Sequence, residues 1–176
     1  MAESYPAKKG KRLRGLLATG AAVLLAVWLS SCGQEAAKAP APRESAAPFT
    51  VATFDNGAFS LEAAKGRPVV INFWASWCGP CKLEARTLER AYQTFKPYGV
   101  EFIGIAVDDT EEGAKAFIKK YGLTFPMALD SGEIMKAYNI YGVPKTYILG
   151  HDGQVAYTHT GAISEDDLFR EIRKAM

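Results

Sequence analysis

The stretch that most constrains the fold is Val69-Val70-Ile71-Asn72-Phe73-Trp74-Ala75-Ser76-Trp77-Cys78-Gly79-Pro80-Cys81-Lys82-Leu83-Glu84, where an apolar run stops at two cysteines. Val69 to Trp74 is β-branched and aromatic without polar alternation, the pattern of a strand covered on both faces of a sheet. Directly after it, Cys78 falls at the expected cap of a helix. Pro80 falls in the first turn, where a missing N–H costs nothing, and Lys82 to Phe95 continues with good helix formers. Unpaired N–H groups and the dipole at a helix N-terminus favour an anion, so they lower a thiol pKa there and make Cys78 a nucleophilic thiolate.

The rest of the chain supplies a domain around this strand and helix. Phe49 to Phe59, with the turn Asp55-Asn56-Gly57, reads as a β-hairpin, and Ser60-Leu61-Glu62 as a brief helical turn before Gly66. The helix after Cys78 is expected to bury Leu83, Leu88, Tyr92 and Phe95 and to end at Pro97 and Gly99. Val100 to Val107 reads as a second buried strand. A helix from Thr110 to Tyr121, capped by Asp109 or Thr110, ends at Gly122. Phe125 to Leu129 reads as a short strand and Ile134 to Tyr138 as a short helix. Tyr147 to Leu149 and Gln154 to Thr158 flank the hairpin turn Gly150-His151-Asp152-Gly153. A last helix starts at Ser164, with Asp167 three residues on, and buries Leu168 and Ile172. Alternating strands and helices followed by a hairpin and a helix predict an α/β fold with a mixed sheet and helices on both faces. About 128 residues from Phe49 onward can bury a core without disulfide staples, so the cysteine pair is not needed for stability.

The N-terminal segment has a different composition. Residues 1–31 carry Lys8, Lys9, Lys11, Arg12 and Arg14, then the apolar run Leu16 to Leu29. That run is shorter than the roughly 20 residues a spanning helix needs, so the segment reads as a cleaved signal peptide, with a permanent transmembrane anchor as the weaker alternative. Leu29-Ser30-Ser31-Cys32 resembles a lipobox, which would make Cys32 a lipidated N-terminus and account for the odd third cysteine. Residues 32–48, with Pro40, Pro42 and Pro48 and no hydrophobic period, read as a flexible linker, followed by a domain at 49–176. Without the five basic residues and Glu3, the 21 basic and 19 acidic side chains become 16 and 18, a formal charge of −2 with no electrostatic footprint for nucleic acid.

Phe73-Trp74-Ala75-Ser76-Trp77-Cys78-Gly79-Pro80-Cys81, Glu84 three residues later, Phe125-Pro126 before Asp130, and Val143-Pro144-Lys145-Thr146 before Gly150-His151-Asp152-Gly153 together resemble the TlpA/ResA-like thiol-disulfide oxidoreductases. The resemblance runs from about Phe49 to the end. It implies a thioredoxin-like fold, a central mixed sheet flanked by helices, with an N-terminal β-hairpin and a central insertion over Thr110 to Leu129. It further implies a redox disulfide between Cys78 and Cys81, and a cis bond at Val143-Pro144 that holds an extended substrate segment beside it. Arg86 departs from the pattern, since the family usually has proline there.

As zinc ligands the two cysteines lack a second pair, with only His151 and His159 elsewhere. As a haem site they would need histidine where Lys82 stands. The dithiol reading gives Cys78, at the exposed end, the attack on a substrate disulfide, and Cys81, one turn deeper, the resolving step. Glu84 shares a helix face with Cys81 and reads as its proton acceptor, or else as a solvated helix residue; Asn72, where thioredoxin has an aspartate, cannot titrate. Trp77 reads as facing substrate or as packed, with Gly79, Pro80, Val143 and Pro144 completing a substrate-binding edge. His151 and His159 read as solvated. The expected function is an extracytoplasmic protein-disulfide reductase, lipid-anchored on the outer face of a bacterial membrane. It needs no cofactor or metal, draws electrons from a membrane thiol-disulfide donor and acts on exported proteins; by resemblance, apocytochrome c is the leading substrate. Two alternatives stand beside it. A copper-delivery module would use both thiolates. A peroxiredoxin-type peroxide reductase would carry Thr or Ser where this chain has Ala75.

Overall fold

The computed structural model describes residues 44–176. The segment read as a signal peptide, Cys32 and most of the stretch read as a linker lie outside them. Within them a five-stranded sheet runs in the order β5-β4-β3-β6-β7. Its strands are β3 (Val69–Trp74), β4 (Glu101–Ala106), β5 (Met127–Leu129), β6 (Lys145–Leu149) and β7 (Val155–Thr160). β3 pairs parallel with β4, and β4 with β5, while β6 runs antiparallel to both β3 and β7. This is the mixed α/β sheet the element order predicts, with the all-apolar strand at its centre.

Side chains alternate across the two faces of β3. Val70 and Trp74 enter a core with Leu88 and Phe95 of α1 (Gly79–Phe95), Phe117 of α2 (Glu111–Tyr121), and Leu168 and Ile172 of α4 (Glu165–Ala175). Val69, Ile71 and Phe73 enter a second core with Phe59, Tyr138 and Ile134, the last from α3 (Glu133–Ala137). The small hairpin β1 (Thr50–Ala52) and β2 (Ala58–Ser60) lies on that second face, and the segment expected as an insertion forms α2 and the edge strand β5. Asn72 therefore points toward α1, the helix that carries the cysteines.

Local chemistry fixes the helices. Thr110 caps α2 by accepting from Gly113 N, with Gly122 left-handed at its end, and Ser164 caps α4 by accepting from Asp167 N. α1 runs 17 residues through Arg86, then tightens into a 3-10 turn at Lys96–Tyr98. Leu83, expected in the core, is 78% exposed. It lies two residues, or about 200°, round the helix from Cys81, so Ala85 and Ala91 fill the buried stripe with Leu88, Tyr92 and Phe95. The end of the stretch read as linker lies on the domain: Glu44 O accepts from Val155 N at 2.9 Å, Ser45 bridges Gln154, and Ala47 O accepts from the Tyr138 hydroxyl at 2.8 Å. Unpaired backbone on edge strand β7 supplies the partner that composition could not show. No helix among the described residues is long and apolar enough to cross a membrane.

Candidate active site

At the C-terminal end of β3 the chain turns through Ala75, Ser76 and Trp77 into α1. Asp109 braces this turn, taking Ser76 N at 2.5 Å on one carboxylate oxygen and Ser76 Oγ at 2.8 Å on the other. Gly113 lies so close to the turn that a Cβ would meet Ser76 Oγ at 2.8 Å. Cys78 is the N-cap of α1, in extended conformation, and its Sγ accepts from Cys81 N at 3.1 Å, with Pro80 in the first turn as the sequence predicts.

Cys78 and Cys81 are joined in a disulfide, with Cα atoms 5.3 Å apart. Cys78 is not at an exposed end in this state: it is 3% exposed and Cys81 2%. The loop before β6 covers it. Val143-Pro144 is cis, and Cys78 Sγ lies 3.6 Å from Val143 O. A disulfide sulfur has no proton to donate, but the reduced thiol would find an acceptor in that carbonyl. Cys81 N–H and Val143 O thus flank Cys78 Sγ as a backbone donor and a backbone acceptor.

The residues expected to form a substrate edge lie around the disulfide and the loop that covers it. Gly79 and Pro80 are exposed, Val143 is half-buried and Pro144 buried. Trp77 is 61% exposed, with Nε1 donating to Asp108 O at 2.9 Å, so it is held from one edge and presented to solvent by the rest of its ring. Trp77, Met135, Ile140, Tyr141 and Val143 line an apolar groove of about 230 Å³. Tyr141, 94% exposed, was not singled out from the sequence, where it is one aromatic in a loop.

Behind the disulfide the arrangement is polar and closed. Glu84 is 2% exposed, which excludes the solvated reading. Its Oε1 accepts from Asn72 Nδ2 at 2.9 Å and its Oε2 from Ile163 N at 2.8 Å. Asn72 Nδ2 also donates to Thr146 Oγ1 at 3.0 Å, its direct partner across β3 and β6. Burial pushes the Glu84 carboxyl up from 4.5 to about 7, against the pull of the Ile163 and Asn72 donors, which favour the charged form. Glu84 therefore changes charge near neutral pH, one helical turn from Cys81. Thr146 and Ile163 were missed as site residues. Thr146 stood inside a quoted motif, a hydroxyl in an otherwise buried strand, whereas a backbone N–H leaves no mark in a sequence. The histidines are not simply solvated: His151 sits between Gly66 O and Met176 O at 2.8 and 2.7 Å, and His159 Nε2 faces Ala162 O at 3.3 Å.

Comparison with known proteins gives consistent relatives. A family model described as the AhpC/TSA family matches residues 42–158, which include both cysteines, Glu84 and the 143–144 loop. The thiol-disulfide oxidoreductase ResA of Bacillus thuringiensis subsp. konkukian is 34% identical over 127 residues, 72% of this chain and 73% of that protein. Among solved structures, a thiol:disulfide interchange protein of the thioredoxin family from Chlorobium tepidum superposes with a TM-score of 0.72 at 29% identity, covering 78% of this chain and 99% of its own. A secreted Mycobacterium tuberculosis disulfide oxidoreductase, homologous to E. coli DsbE, gives 0.66 at 29% identity, over 72% of this chain and 95% of its own. A dithiol pair capping a helix on a thioredoxin-like sheet, matched along most of its length by ResA proteins, makes this chain a member of the ResA-like thiol-disulfide oxidoreductases within the AhpC/TSA family.

Proposed function

We propose that the protein works outside the cytoplasm as a reductant of disulfides in exported proteins, anchored through Cys32 and recharged by a membrane thiol-disulfide donor. The observation that carries the reading is the buried Glu84 carboxylate one helical turn beyond the Cys78–Cys81 disulfide. In the reduced protein the Cys78 thiolate attacks a substrate disulfide, forming a mixed disulfide and expelling one substrate thiolate. Cys81 gives its proton to Glu84 and attacks Cys78 Sγ, which re-forms the Cys78–Cys81 bond and expels the second substrate sulfur. Two electrons pass from the dithiol to the substrate. The two thiol protons end on the substrate sulfurs, one of them by way of Glu84.

Direction is supported by what surrounds Cys78. Gly79 and Pro80 offer the thiolate no side-chain donor, unlike strongly oxidising sites, whose thiol pKa lies near ~3.5. Trp77, Val143 and Pro144 offer an apolar edge and a backbone carbonyl, suited to an extended segment around a substrate cysteine; apocytochrome c is the leading substrate by family. Ala75, fully buried, has no hydroxyl to stabilise a peroxide oxygen, which weighs against peroxide reduction. The deciding measurement is the reduction potential of the pair. A value near or below about −250 mV supports a reductant, and one near about −120 mV reverses the direction. Mass spectrometry of the mature protein tests the lipid on Cys32.

A further inference from the structure

The loop between β7 and α4 touches both halves of the site. Gly161, with φ +92°, donates its N–H to Pro144 O at 2.9 Å, in the loop that covers Cys78. Two residues later Ile163 N–H donates to Glu84 Oε2 at 2.8 Å, behind Cys81. Between them stands Ala162, whose side chain is exposed and whose carbonyl faces His159 Nε2 at 3.3 Å. His159 pairs directly across β6 and β7 with Thr146, so the two lie on one face of the sheet, and Thr146 is the last member of the chain from Glu84 through Asn72.

The chemistry of the ring fixes how this contact works. A carbonyl can only accept, so Nε2 carries the hydrogen and donates to Ala162 O. Nδ1 lies 3.3 Å from the Tyr157 hydroxyl, accepting from it when the ring is neutral and donating to it when the ring is protonated. The bond to Ala162 is made in both charge states, so it acts as a fixed clamp rather than a pH switch.

We propose that His159 is a positioning residue for disulfide exchange: by holding Ala162 it keeps Ile163 N–H on Glu84 and Gly161 N–H on the Val143-Pro144 loop, so that one short segment sets both the buried carboxylate and the substrate-facing loop. The inference rests on the reading of Glu84 as proton acceptor for Cys81. Gly161 is the most permissive residue of the segment, and without the clamp its rotation lets the two N–H groups drift from their acceptors. Glu84 is faced by Asn72 from β3 and by the Ile163 amide from the loop, with Thr146 of β6 behind Asn72 and Cys81 three residues earlier on its own helix. No charged side chain contributes to its raised pKa. His159 is faced by Tyr157 and, from α4, by Asp167, which is already bonded to Ser164 and Arg170.

The test follows the Glu84 carboxyl by carbon NMR against pH in the oxidised full chain, for wild type, His159→Ala and His159→Gln. With the clamp removed, the backbone donor that favours the carboxylate is loosened, so His159→Ala should bind the Glu84 proton about threefold or more tightly. His159→Gln, whose side-chain amide can donate to the same carbonyl, should return the titration toward wild type. In the reduced protein, the change His159→Ala makes in the thiol titration should vanish in a Glu84→Gln background. An unmoved Glu84 titration in His159→Ala overturns the proposal, as does an equal displacement in His159→Gln or a thiol effect that survives Glu84→Gln. These titrations need no substrate, so failure of the pair to reduce a protein disulfide would remove the functional reading without deciding the role of His159.

Discussion

In front of the Cys78–Cys81 bond, Trp77 and Tyr141 are 61% and 94% exposed, and among the described residues the two side chains make one hydrogen bond, from the indole to Asp108 O. Behind the bond, Asn72 and Glu84 are 2% exposed and Thr146 is fully buried, each hydrogen-bonded to another member or to the backbone. The front can be changed at little cost to folding because its surface is already wet. The rear keeps an ionisable group out of water, so each partner lost there leaves a buried polar atom unsatisfied, at about 1–3 kcal/mol. On the proposed reading, the recognition expected of the front and the proton handling expected of the rear lie on opposite sides of the Cys78–Cys81 bond.

The sharpest way to break this division is at the sulfurs themselves. Cys78→Ser should abolish reduction of a model protein disulfide, whereas Cys81→Ser should attack and then stall as a mixed disulfide visible by mass. If Cys81→Ser fails to react while Cys78→Ser still does, the roles are reversed. Next in size is Glu84→Gln. It should slow release of substrate from the Cys78 mixed disulfide by roughly 100-fold, and lower the apparent thiol pKa because a like charge is removed. Both changes should be seen together in single-turnover kinetics and thiolate absorbance against pH, and neither appearing would return Glu84 to a purely structural role.

The rear should also mark itself in stability. The folded Glu84 carboxyl titrates near 7 against 4.5 as its ordinary value, so the folded state holds the proton more tightly than the unfolded chain. Stability from this group is complete below about pH 4.5 and is lost as pH rises toward 7, by up to about 3 kcal/mol, then is flat above. Urea unfolding of oxidised wild type across that range should show the fall, and Glu84→Gln should remove it. The smallest effects belong to the front. Trp77→Ala and Tyr141→Ala should change unfolding free energy by less than about 0.5 kcal/mol for Tyr141 and little more for Trp77. Their effect should be a raised KM for a protein disulfide with kcat nearly kept. A large loss of stability in either would show that the front is structural after all.

Much of this was legible from residue order because it depends on local rules. The buried strand, the cap at Cys78, the Thr110 and Ser164 caps and the terminal hairpin each follow from side chains next to one another. Glu84 could be named as a candidate from its spacing, but its burial could not, since that depends on Asn72 of β3, the start of β6 and the loop before α4. Leu83 shows the opposite error: its hydrophobicity suggested the core, and the phase of the helix set by Cys81, Leu88 and Phe95 turned it outward. The Ile163 contact was beyond reach for a simpler reason, because a backbone donor has the same appearance at every non-proline residue.

The segment from Glu44 to Ala47 has a further consequence at the opposite pole of the sheet from the cysteines. β7 is an outer strand, and such strands offer open hydrogen-bonding groups to any other extended chain. This segment occupies Val155 N–H and bridges Gln154 at the start of that edge, where its pairing is expected to act as a guard against edge-to-edge association. A chain cut at Phe49 keeps the disulfide and Glu84 but loses the guard, so it should retain exchange chemistry while becoming concentration-dependent in light scattering, a solubility role separable from catalysis.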